Sequence, residues 1–241
     1  MNIRAVIFDI YGTLLEVGPP PPDADQRWER LWREGFGTLP RLPLSRFSQA
    51  CEQIIARAHA QARSRGIPFP EACWPAVVAE VLPELDSLSP AGRDDFLFQQ
   101  AKLWHSVRMP PEVPAILRGM RRGNLLLGIA SNAQVYTWRE LAEALAAHAL
   151  GMDLFDSHLC FWSFEHGFSK PDPHVFQILT ARLAALGISP RETLMIGDRL
   201  DNDIEPAKAH GWQTWQLGPM ADGGWAGLRE NLRGPQPTAS P

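Results

Sequence analysis

Four segments of the chain place polar or charged side chains directly after an apolar run or just ahead of a helix. The first is VIFDIYGTLL, residues 6–15, where a buried strand ends by exposing one carboxylate, as a nucleophile at the edge of a sheet would require. In an open parallel sheet, ligands bind at the carboxyl ends of the strands, so these side chains are candidates for one shared site. In chain order they are Asp9 and Thr13, Ser131 and Asn132, Lys170, and Asp198 and Asp203.

Each of these residues also has an ordinary structural explanation. Asp9 could cap a turn, and Ser131 with Asn132 could cap a helix. Lys170 could be a solvated lysine, as most lysines are, and Asp203 could cap the helix that follows it. The combination favours a functional interpretation, because an acid, a hydroxyl, a lysine and a pair of acids follow one another at the ends of apolar segments.

The second half of the chain alternates short apolar strands with helices, which is typical of a parallel sheet covered on both faces. Together with the first strand it predicts an α/β core that is discontinuous in sequence, formed by residues 1–16 and 110–220. The predicted elements of this second half are a helix at 114–122, a strand at 125–131, a helix at 137–150, a short strand at 157–161, a helix from Pro173, a strand at 193–198, a helix at 203–210 and a strand at 212–217.

Residues 17–109, between the two parts of the core, show helical periodicity and no convincing strand. The proline-rich stretches EVGPPPP (16–22) and RMPPEVP (108–114) bound this insert, and neither can be helix interior. We therefore predict an inserted four-helix lobe, followed after the core by a flexible tail at 221–241. The four helices are expected after Asp23 or Asp25, over 44–63, from Pro70 and from Ser89-Pro90.

The composition of the chain excludes several classes of function. A formal net charge of −4 over 241 residues gives no clustered basic face for a nucleic acid. The apolar runs are too short to span a membrane, and the N-terminal stretch lacks the features of a secretion signal. Cys51, Cys73 and Cys160 form no C-x-x-C pair, so neither a disulfide framework nor a zinc site is expected. These features favour a cytoplasmic protein, and the sequence leaves the oligomeric state open between monomer and dimer.

The set of motifs resembles the haloacid dehalogenase-like (HAD) hydrolase superfamily, in its branch with a helical cap between the first two motifs. The resemblance extends over about residues 3–217. Each motif alone is weakly specific, but the four together and their order are specific. They are matched by Asp9 and Thr13 in D-x-Y-G-T, by Ser131 in IASNA, by Lys170 in KPDP, and by Asp198 and Asp203 in G-D-x-x-x-x-D.

The resemblance implies a fold and a chemistry. The fold would be an HAD-like, Rossmannoid parallel sheet with helices on both faces, and the inserted lobe would close over the site. Asp9 would attack the substrate and form a covalent intermediate that water hydrolyses. Mg²⁺ would be held by Asp9, the backbone carbonyl of Tyr11, Asp198 and Asp203. A small anionic substrate would be bound by Lys170, Ser131, Thr13 and Asn132.

Tyr11 is the departure from the family motif. Family phosphatases place a second aspartate there, which protonates the leaving group and then activates water, and tyrosine, with a pKa near 10, is a poor substitute. The leaving group could be good enough to depart unaided, as in acyl phosphates. The reaction could instead be metal-free 2-haloacid dehalogenation, in which D-x-Y-G-T is the usual turn, or the protein could be a catalytically impaired binding module. The fourth motif, GDRLDND (197–203), favours the phosphohydrolase, because dehalogenases carry S-S-N-x-x-D there.

The inserted lobe is expected to determine substrate specificity. Arg27, Trp28, Trp32 and Arg33 suit an anionic, partly flat ligand. Alternatively, the tryptophans form the core of the lobe and the arginines are solvated. The remaining polar candidates show no ligand spacing and are interpreted as incidental: His59, His105, His166 and His174.

Overall fold

A computed structural model describes residues 2–218 and 224–233 of the chain. None of the described helices is both long enough and apolar enough to cross a membrane. The first half contains, in order, β1 (Ala5–Phe8), β2 (Glu16–Gly18), α1 (Ala24–Phe36), α2 (Leu44–Ser64), α3 (Trp74–Val81), α4 (Pro90–Ala101) and β3 (Ser106–Arg108). The second half contains α5 (Val113–Arg122), β4 (Leu126–Ser131), α6 (Val135–Ala146), β5 (Cys160–Trp162), α7 (Ser163–His166), α8 (Pro173–Ala185), β6 (Thr193–Gly197), α9 (Glu205–Ala209), β7 (Gln213–Gln216) and α10 (Gly224–Arg233).

The core is a five-stranded parallel sheet with the strand order β5-β4-β1-β6-β7. β1 is its central strand, and Phe8 at the end of β1 lies opposite Ile129 of β4 and Ile196 of β6. The ends of these three strands therefore lie at one edge, where a ligand of such a sheet binds. The predicted α/β core with a parallel sheet is confirmed.

Helices cover both faces of this sheet, because the residues of β1 alternate between two hydrophobic clusters. Val6 and Phe8 pack with α5 and α6, whereas Ala5 and Ile7 pack with α8 and α9. All four side chains are buried. In β4, a Cβ on Gly128 would come within 2.3 Å of the carbonyl oxygen of Leu159, so the sheet accepts only glycine there.

The insert forms a separate aromatic core within the four predicted helices. Trp28 of α1 stacks on Phe47 of α2 with ring centroids 4.9 Å apart, and Trp32 contacts Phe96 of α4. Trp28 and Trp32 are only 1% and 2% exposed. α4 begins where predicted, since the Ser89 hydroxyl accepts a hydrogen bond from the Gly92 amide and caps the helix.

The specificity role expected for α1 is therefore wrong for its tryptophans, whose rings lie inside the lobe. Its arginines are solvent-exposed and pair along the helix surface. Arg27 contacts Asp23 at 2.8 Å, and Arg33 contacts Glu29 at 3.2 Å. The alternative interpretation, with core tryptophans and solvated arginines, is confirmed.

The linkers of the insert differ from the prediction, which placed no strand between 17 and 109. β2 and β3 form an antiparallel pair in which Glu16 lies opposite Arg108 and Val17 opposite Val107. The chain leaves and re-enters the core at the same place, so the two linkers can pair although neither shows a strand pattern alone. The third helix also begins later than predicted, at Trp74 instead of Pro70.

The C-terminal segment contains a helix that the sequence prediction missed. α10 packs on the core through Leu228, which is buried, and the indole of Trp215 donates a hydrogen bond to the carbonyl of Gly224 at 3.2 Å. The prediction of a flexible tail at 221–241 is therefore wrong for Gly224–Arg233. The other residues of that prediction, 221–223 and 234–241, lie outside the described residues.

Candidate active site

Asp9 stands at the end of the central strand, in a tight turn. Its amide donates to the carbonyl of Ile196 at 2.9 Å, which continues the pairing of β1 with β6 by one residue. The turn then closes through hydrogen bonds from the amides of Thr13 and Leu15 to the carbonyl of Ile10. Gly12 has φ +77°, and a Cβ there would lie 2.3 Å from the Asp198 carboxylate, so this position requires glycine.

Lys170 joins two of the predicted acids. Its Nζ lies 2.8 Å from Oδ1 of Asp9 and also donates to Oδ1 of Asp203. The three side chains are almost inaccessible to solvent, with exposures of 3%, 8% and 1% for Lys170, Asp9 and Asp203. The predicted convergence of these strand-end residues is thus present in the structure.

Asn132 fastens the Lys170 loop to the end of β4. Its Nδ2 donates to the Lys170 carbonyl at 2.8 Å, and its Oδ1 accepts from the Lys170 amide at 2.7 Å. Both polar atoms of the side chain are therefore engaged with backbone. These contacts position Lys170, and the predicted contact of Asn132 with substrate stays a prediction.

Asp203 is held by the short π-helical turn Leu200–Ile204 after β6. While Oδ1 accepts from Lys170, Oδ2 accepts from the amide of Arg199 at 3.1 Å. A Cβ on Gly197 would lie 2.4 Å from the same Oδ2, so glycine before Asp198 allows the turn to fold over the strand end. These contacts make Asp203 a buried partner that orients Lys170.

Three carboxylates lie together and Lys170 contacts two of them, Asp9 and Asp203, so the site carries excess negative charge. Oxygens of Asp9, Asp198 and Asp203 all lie within 4.8 Å of one another. Burial, together with Asp203, raises the pKa of Asp9 to about 6 against the opposing effect of Lys170. Burial and Asp203 also raise the pKa of Asp198. Clustered carboxylate oxygens are the donors that Mg²⁺ prefers, so these residues fit such an ion.

The same carboxylates keep Lys170 charged. Burial by itself would lower the pKa of this amine, but the charges of Asp9 and Asp203 and their hydrogen bonds outweigh it, so that the pKa is raised. Lys170 is therefore a permanent cation at the end of the sheet. A cation fixed there can neutralise an anionic group brought to Asp9.

Two buried hydroxyls beside the acids lack partners. Within the described part of the chain, Oγ1 of Thr13 and Oγ of Ser131 make no hydrogen bond. Both residues are buried, and an unsatisfied buried hydroxyl costs about 1–3 kcal/mol. Such groups are expected where a ligand supplies the missing partners, which agrees with their predicted contact with a substrate anion.

Tyr11 points away from this cluster and into the junction between core and lobe. Its hydroxyl donates to Oε2 of Glu140 at 2.5 Å and also lies 3.0 Å from Oγ1 of Thr137. The other Glu140 oxygen lies 3.0 Å from Nε2 of His105, the residue before β3. Burial, followed by Glu140, raises the pKa of Tyr11 well above its ordinary value. The hydroxyl is therefore protonated, and its proton is donated to the hydrogen bond with Glu140.

Glu140, Thr137 and His105 were not predicted as part of the site, and the interpretation of His105 as incidental is wrong. Glu140 is only 2% exposed, although an acid on a helix is usually solvated. The sequence carries no local signal of this burial. We name this group, Tyr11 with Thr137, Glu140 and His105, the tyrosine cluster.

A second junction between lobe and core lies beside Ser131, at the N-terminus of α6. The Gln134 side chain accepts from the amide of Trp74 at 2.9 Å and donates to the carbonyl of Ala72 at 2.7 Å and to Glu71 at 2.8 Å. Ser163 donates to the other oxygen of Glu71 at 2.7 Å. These contacts fix the segment before α3 on the core.

Sequence comparisons match most of the chain to one family and parts of it to phosphatases. A family model described as haloacid dehalogenase-like hydrolase matches residues 3–211. The chain is 34% identical over 102 residues to the phosphoserine phosphatase of Thermus thermophilus, covering 42% of this chain and 37% of that protein. It is 34% identical over 108 residues to the glyceraldehyde 3-phosphate phosphatase of Methanopyrus kandleri, covering 45% and 42%. The match thus spans less than half the length of either relative.

The fold is also found among solved structures. A HAD family enzyme from Bacteroides thetaiotaomicron has a TM-score of 0.59 with 17% identity, covering 95% of this chain and 99% of that one. At this identity the likeness concerns the fold. It extends over nearly the whole of both chains, so that the insert and the sheet belong to one shared architecture.

Proposed function

Because the chain belongs to the haloacid dehalogenase-like hydrolase family, we propose that it is a phosphatase-type hydrolase acting on small phosphorylated metabolites with good leaving groups. The observation that carries this proposal is the buried contact of Asp9 with Lys170 at 2.8 Å, next to the unpartnered hydroxyls of Thr13 and Ser131. A carboxylate, a fixed cation and free hydroxyls are what the attack on a phosphate group requires.

In the proposed reaction, Asp9 is the nucleophile. With a pKa of about 6, its carboxylate is largely ionised at neutral pH and needs no base. One carboxylate oxygen forms a bond to phosphorus while the bond to the leaving group breaks, and the leaving oxygen takes that electron pair. Water then cleaves the aspartyl phosphate, which releases inorganic phosphate and restores Asp9.

Lys170, Thr13 and Ser131 would bind the phosphoryl oxygens during both steps. Lys170 opposes the charge that the substrate brings, and the two hydroxyls each have a proton to donate. Asn132 and Asp203 act indirectly, since the first holds the backbone of Lys170 and the second its amine.

Mg²⁺ would be held by Asp9, Asp198 and the backbone carbonyl of Tyr11. Asp203 would be either a fourth ligand or a residue that does not touch the ion and positions Lys170. The second role for Asp203 is favoured, because both of its oxygens already accept hydrogen bonds. Bound Mg²⁺ would lower the repulsion between the anionic substrate and the carboxylates. The proximity of the carboxylate oxygens within 4.8 Å supports this assignment.

The leaving group must depart without a proton from Tyr11. The hydroxyl of Tyr11 is bound to Glu140, and its pKa is raised by burial and by that acid, so it neither protonates an alkoxide nor activates water. Acyl phosphates and aryl phosphates have leaving groups that depart as stable anions. Phosphate esters of ordinary alcohols do not, and they should be poor substrates.

A substrate panel tests this function. With Mg²⁺ present, acetyl phosphate and p-nitrophenyl phosphate should be hydrolysed at least about a hundredfold faster than phosphoserine or glyceraldehyde 3-phosphate, which matches the usual contribution of a general acid. Equal rates on all four would disprove the leaving-group proposal. Unchanged rates with excess EDTA would disprove the metal assignment.

Two substitutions of the same kind complete the test. Asp9→Asn should reduce turnover at least about a thousandfold, as loss of a nucleophile does. Asp201→Asn is the matched control, since this neighbouring acid is exposed and pairs only with Arg199 among the described residues. It should leave the rate within about twofold. Activity retained in Asp9→Asn would exclude Asp9 as the nucleophile.

Dehalogenation of 2-haloacids is the second candidate, and the geometry of Tyr11 favours it over an ordinary phosphomonoesterase. A halide leaves carbon without a proton, so the hydrogen bond of Tyr11 with Glu140 would not impede dehalogenation. 2-Chloropropionate in the same panel tests this reaction through halide release. Turnover without Mg²⁺, together with no hydrolysis of acetyl phosphate, would replace the phosphatase assignment.

A further inference from the structure

A cavity of about 520 Å³ lies at the second junction between lobe and core. α2 forms one wall, and the segments around Trp74, Trp104 and Gln134 form the others. None of the seven candidate site residues around Asp9 is among the described residues that line it. Its volume falls within the range of small-molecule sites, about 300–1,000 Å³.

Aromatic rings form much of the lining. Trp74 and Trp104 meet edge to face with ring centroids 4.6 Å apart, and Tyr136 contributes a third ring from the core. The indole N–H of Trp74 donates a hydrogen bond to Oε1 of Gln100 at 3.2 Å, and that of Trp104 donates to Oγ of Ser48 at 3.1 Å. The tryptophans therefore offer a ligand their π surfaces and not hydrogen-bond donors.

The charged groups of the lining are acidic. Glu52 and Glu71 are its two carboxylates, and among the described lining residues none is Lys or Arg. The Cys51 thiol is neutral, because burial raises its pKa to about 12. Burial and then Glu140 and Glu71 raise the pKa of Tyr136, whose hydroxyl is neutral too. Burial also raises the pKa of Glu71, so the negative potential of the cavity comes mainly from the exposed carboxylate of Glu52.

This lining discriminates among classes of ligand. An anion would meet two carboxylates and no cation, and it would be repelled. A neutral apolar ligand would displace water from the exposed Glu52 carboxylate without replacing the lost hydrogen bonds. An ammonium group is attracted both by carboxylates and by the faces of tryptophan and tyrosine rings. Nε2 of His59, which is buried without a partner in the described structure, leaves an acceptor or donor for one polar group of the ligand.

We propose that this cavity binds a small organic cation, with a primary or quaternary ammonium group against Trp74, Trp104 and Tyr136 and balanced by Glu52 and Glu71. Lobe and core both contribute walls, Trp104 and Glu52 from the lobe and Tyr136 from the core. A bound cation therefore stabilises the docked arrangement of the two lobes.

Isothermal titration with choline chloride, at constant ionic strength, tests the proposal on the full chain. The matched ligand is 3,3-dimethylbutan-1-ol, which has the shape of choline without its charge. Choline should bind at least about tenfold more tightly, the ratio that corresponds to 1.4 kcal/mol of cation–π attraction. Equal affinities, or no heat from choline up to about 50 mM where a weak site would saturate, would overturn the proposal.

Variants locate the bound cation. Glu52→Gln removes one exposed carboxylate of the cavity and should weaken choline binding at least about threefold, the loss expected from one partly screened charge. Glu29→Gln is the control, because this exposed glutamate of α1 does not line the cavity. Equal losses in both variants would assign the binding to general surface charge and reject the cavity.

The test is also separate from the proposed catalytic function. Asp9→Asn should bind choline with unchanged affinity while it loses hydrolytic activity. If Asp9→Asn abolished choline binding, the cation would lie in the catalytic site and the proposal would fail. If the substrate panel showed no hydrolysis but choline bound as described, the cavity would stand and only the phosphatase assignment would fall.

Discussion

Asp9 and Tyr11 are two residues apart in one tight turn, yet their side chains enter opposite kinds of environment. Asp9 faces a lysine and two further carboxylates, so the region is ionic and has an excess of negative charge. Tyr11 faces Glu140 in the tyrosine cluster, where each oxygen of the buried acid has a partner. Both regions are buried. Of the two, the Asp9 region contains side-chain hydroxyls without hydrogen-bond partners, those of Thr13 and Ser131.

This difference indicates that the Asp9 region binds a ligand, whereas the hydrogen bonds of the tyrosine cluster are satisfied within the protein. Thr13 and Ser131 have no partners beside Asp9, which is a cost unless something binds there. The tyrosine cluster instead joins the turn to α6 and to His105 at the end of the lobe. We infer that position 11, where family phosphatases carry their second aspartate, is in this chain a structural link between lobe and core.

Lys170→Met should have the largest effect on stability. It leaves Asp9 and Asp203 buried without a cation, and breaking a buried pair in this way costs about 3–5 kcal/mol. Urea unfolding at pH 8 in EDTA measures the loss. Lys208→Met, at an exposed position of α9, is the control and should change the free energy of unfolding by less than about 0.5 kcal/mol. Equal losses would mean that the buried contacts of Lys170 with Asp9 and Asp203 do not stabilise the fold.

Asp9→Asn should stabilise the metal-free protein at high pH and not at low pH. The pKa of Asp9 in the folded protein, about 6, lies above its ordinary value of 3.8, so folding disfavours the ionised carboxylate. Wild-type stability should therefore fall as pH rises from about 4 to about 6, by on the order of 2–3 kcal/mol. The variant lacks this titration and should exceed the wild type above pH 6. A difference that is constant between pH 4 and pH 8 would contradict the assignment.

The ionic region could be predicted from the sequence because its parts stand at strand ends. Asp9, Ser131 and Asp198 follow apolar strands, and parallel strands bring their carboxyl ends to one edge. The sheet and the four helices of the lobe were predictable for a similar reason, since strong periodicity specifies an element. The β2–β3 pair shows no such periodicity in the sequence. Its strands are three residues each, and each is defined as a strand by its pairing with the other.

The tyrosine cluster could not be predicted, because its partners are far apart in the chain. Glu140 lies 129 residues after Tyr11, and a glutamate in an amphipathic helix has the same pattern whether it is solvated or buried. The motif identified Tyr11 as a departure but carried no information on the direction of its side chain. Asn132 is a similar case, since its contact with the Lys170 backbone depends on a loop 38 residues away.

Tyr11→Phe should cost about 1.5–3 kcal/mol of stability, the value of a hydrogen bond to a charged group. The substitution keeps the ring and removes only the donor to Glu140. Tyr136→Phe is the control on α6, where no hydrogen bond of the hydroxyl is found among the described residues. Hydrolysis of acetyl phosphate should persist in Tyr11→Phe. A loss of turnover above about a hundredfold, with little change in stability, would make Tyr11 a general acid after all.

Lys102→Met should have the smallest effect, although Lys102 also joins the lobe to α6. Its Nζ contacts Glu143 at 2.9 Å, but Lys102 is only half-buried and Glu143 is exposed, and a solvent-accessible pair of this kind contributes about 0.2–1 kcal/mol. The free energy of unfolding should change by less than about 1 kcal/mol, and 1 M NaCl should reduce the change, since salt screens exposed charges but leaves the contact of Lys102 Nζ with the Phe98 ring. Glu140 and Glu143 stand three residues apart on one helix, so burial is the main difference between their contacts with the lobe. A loss from Lys102→Met as large as that from Tyr11→Phe would show that burial does not distinguish the two links.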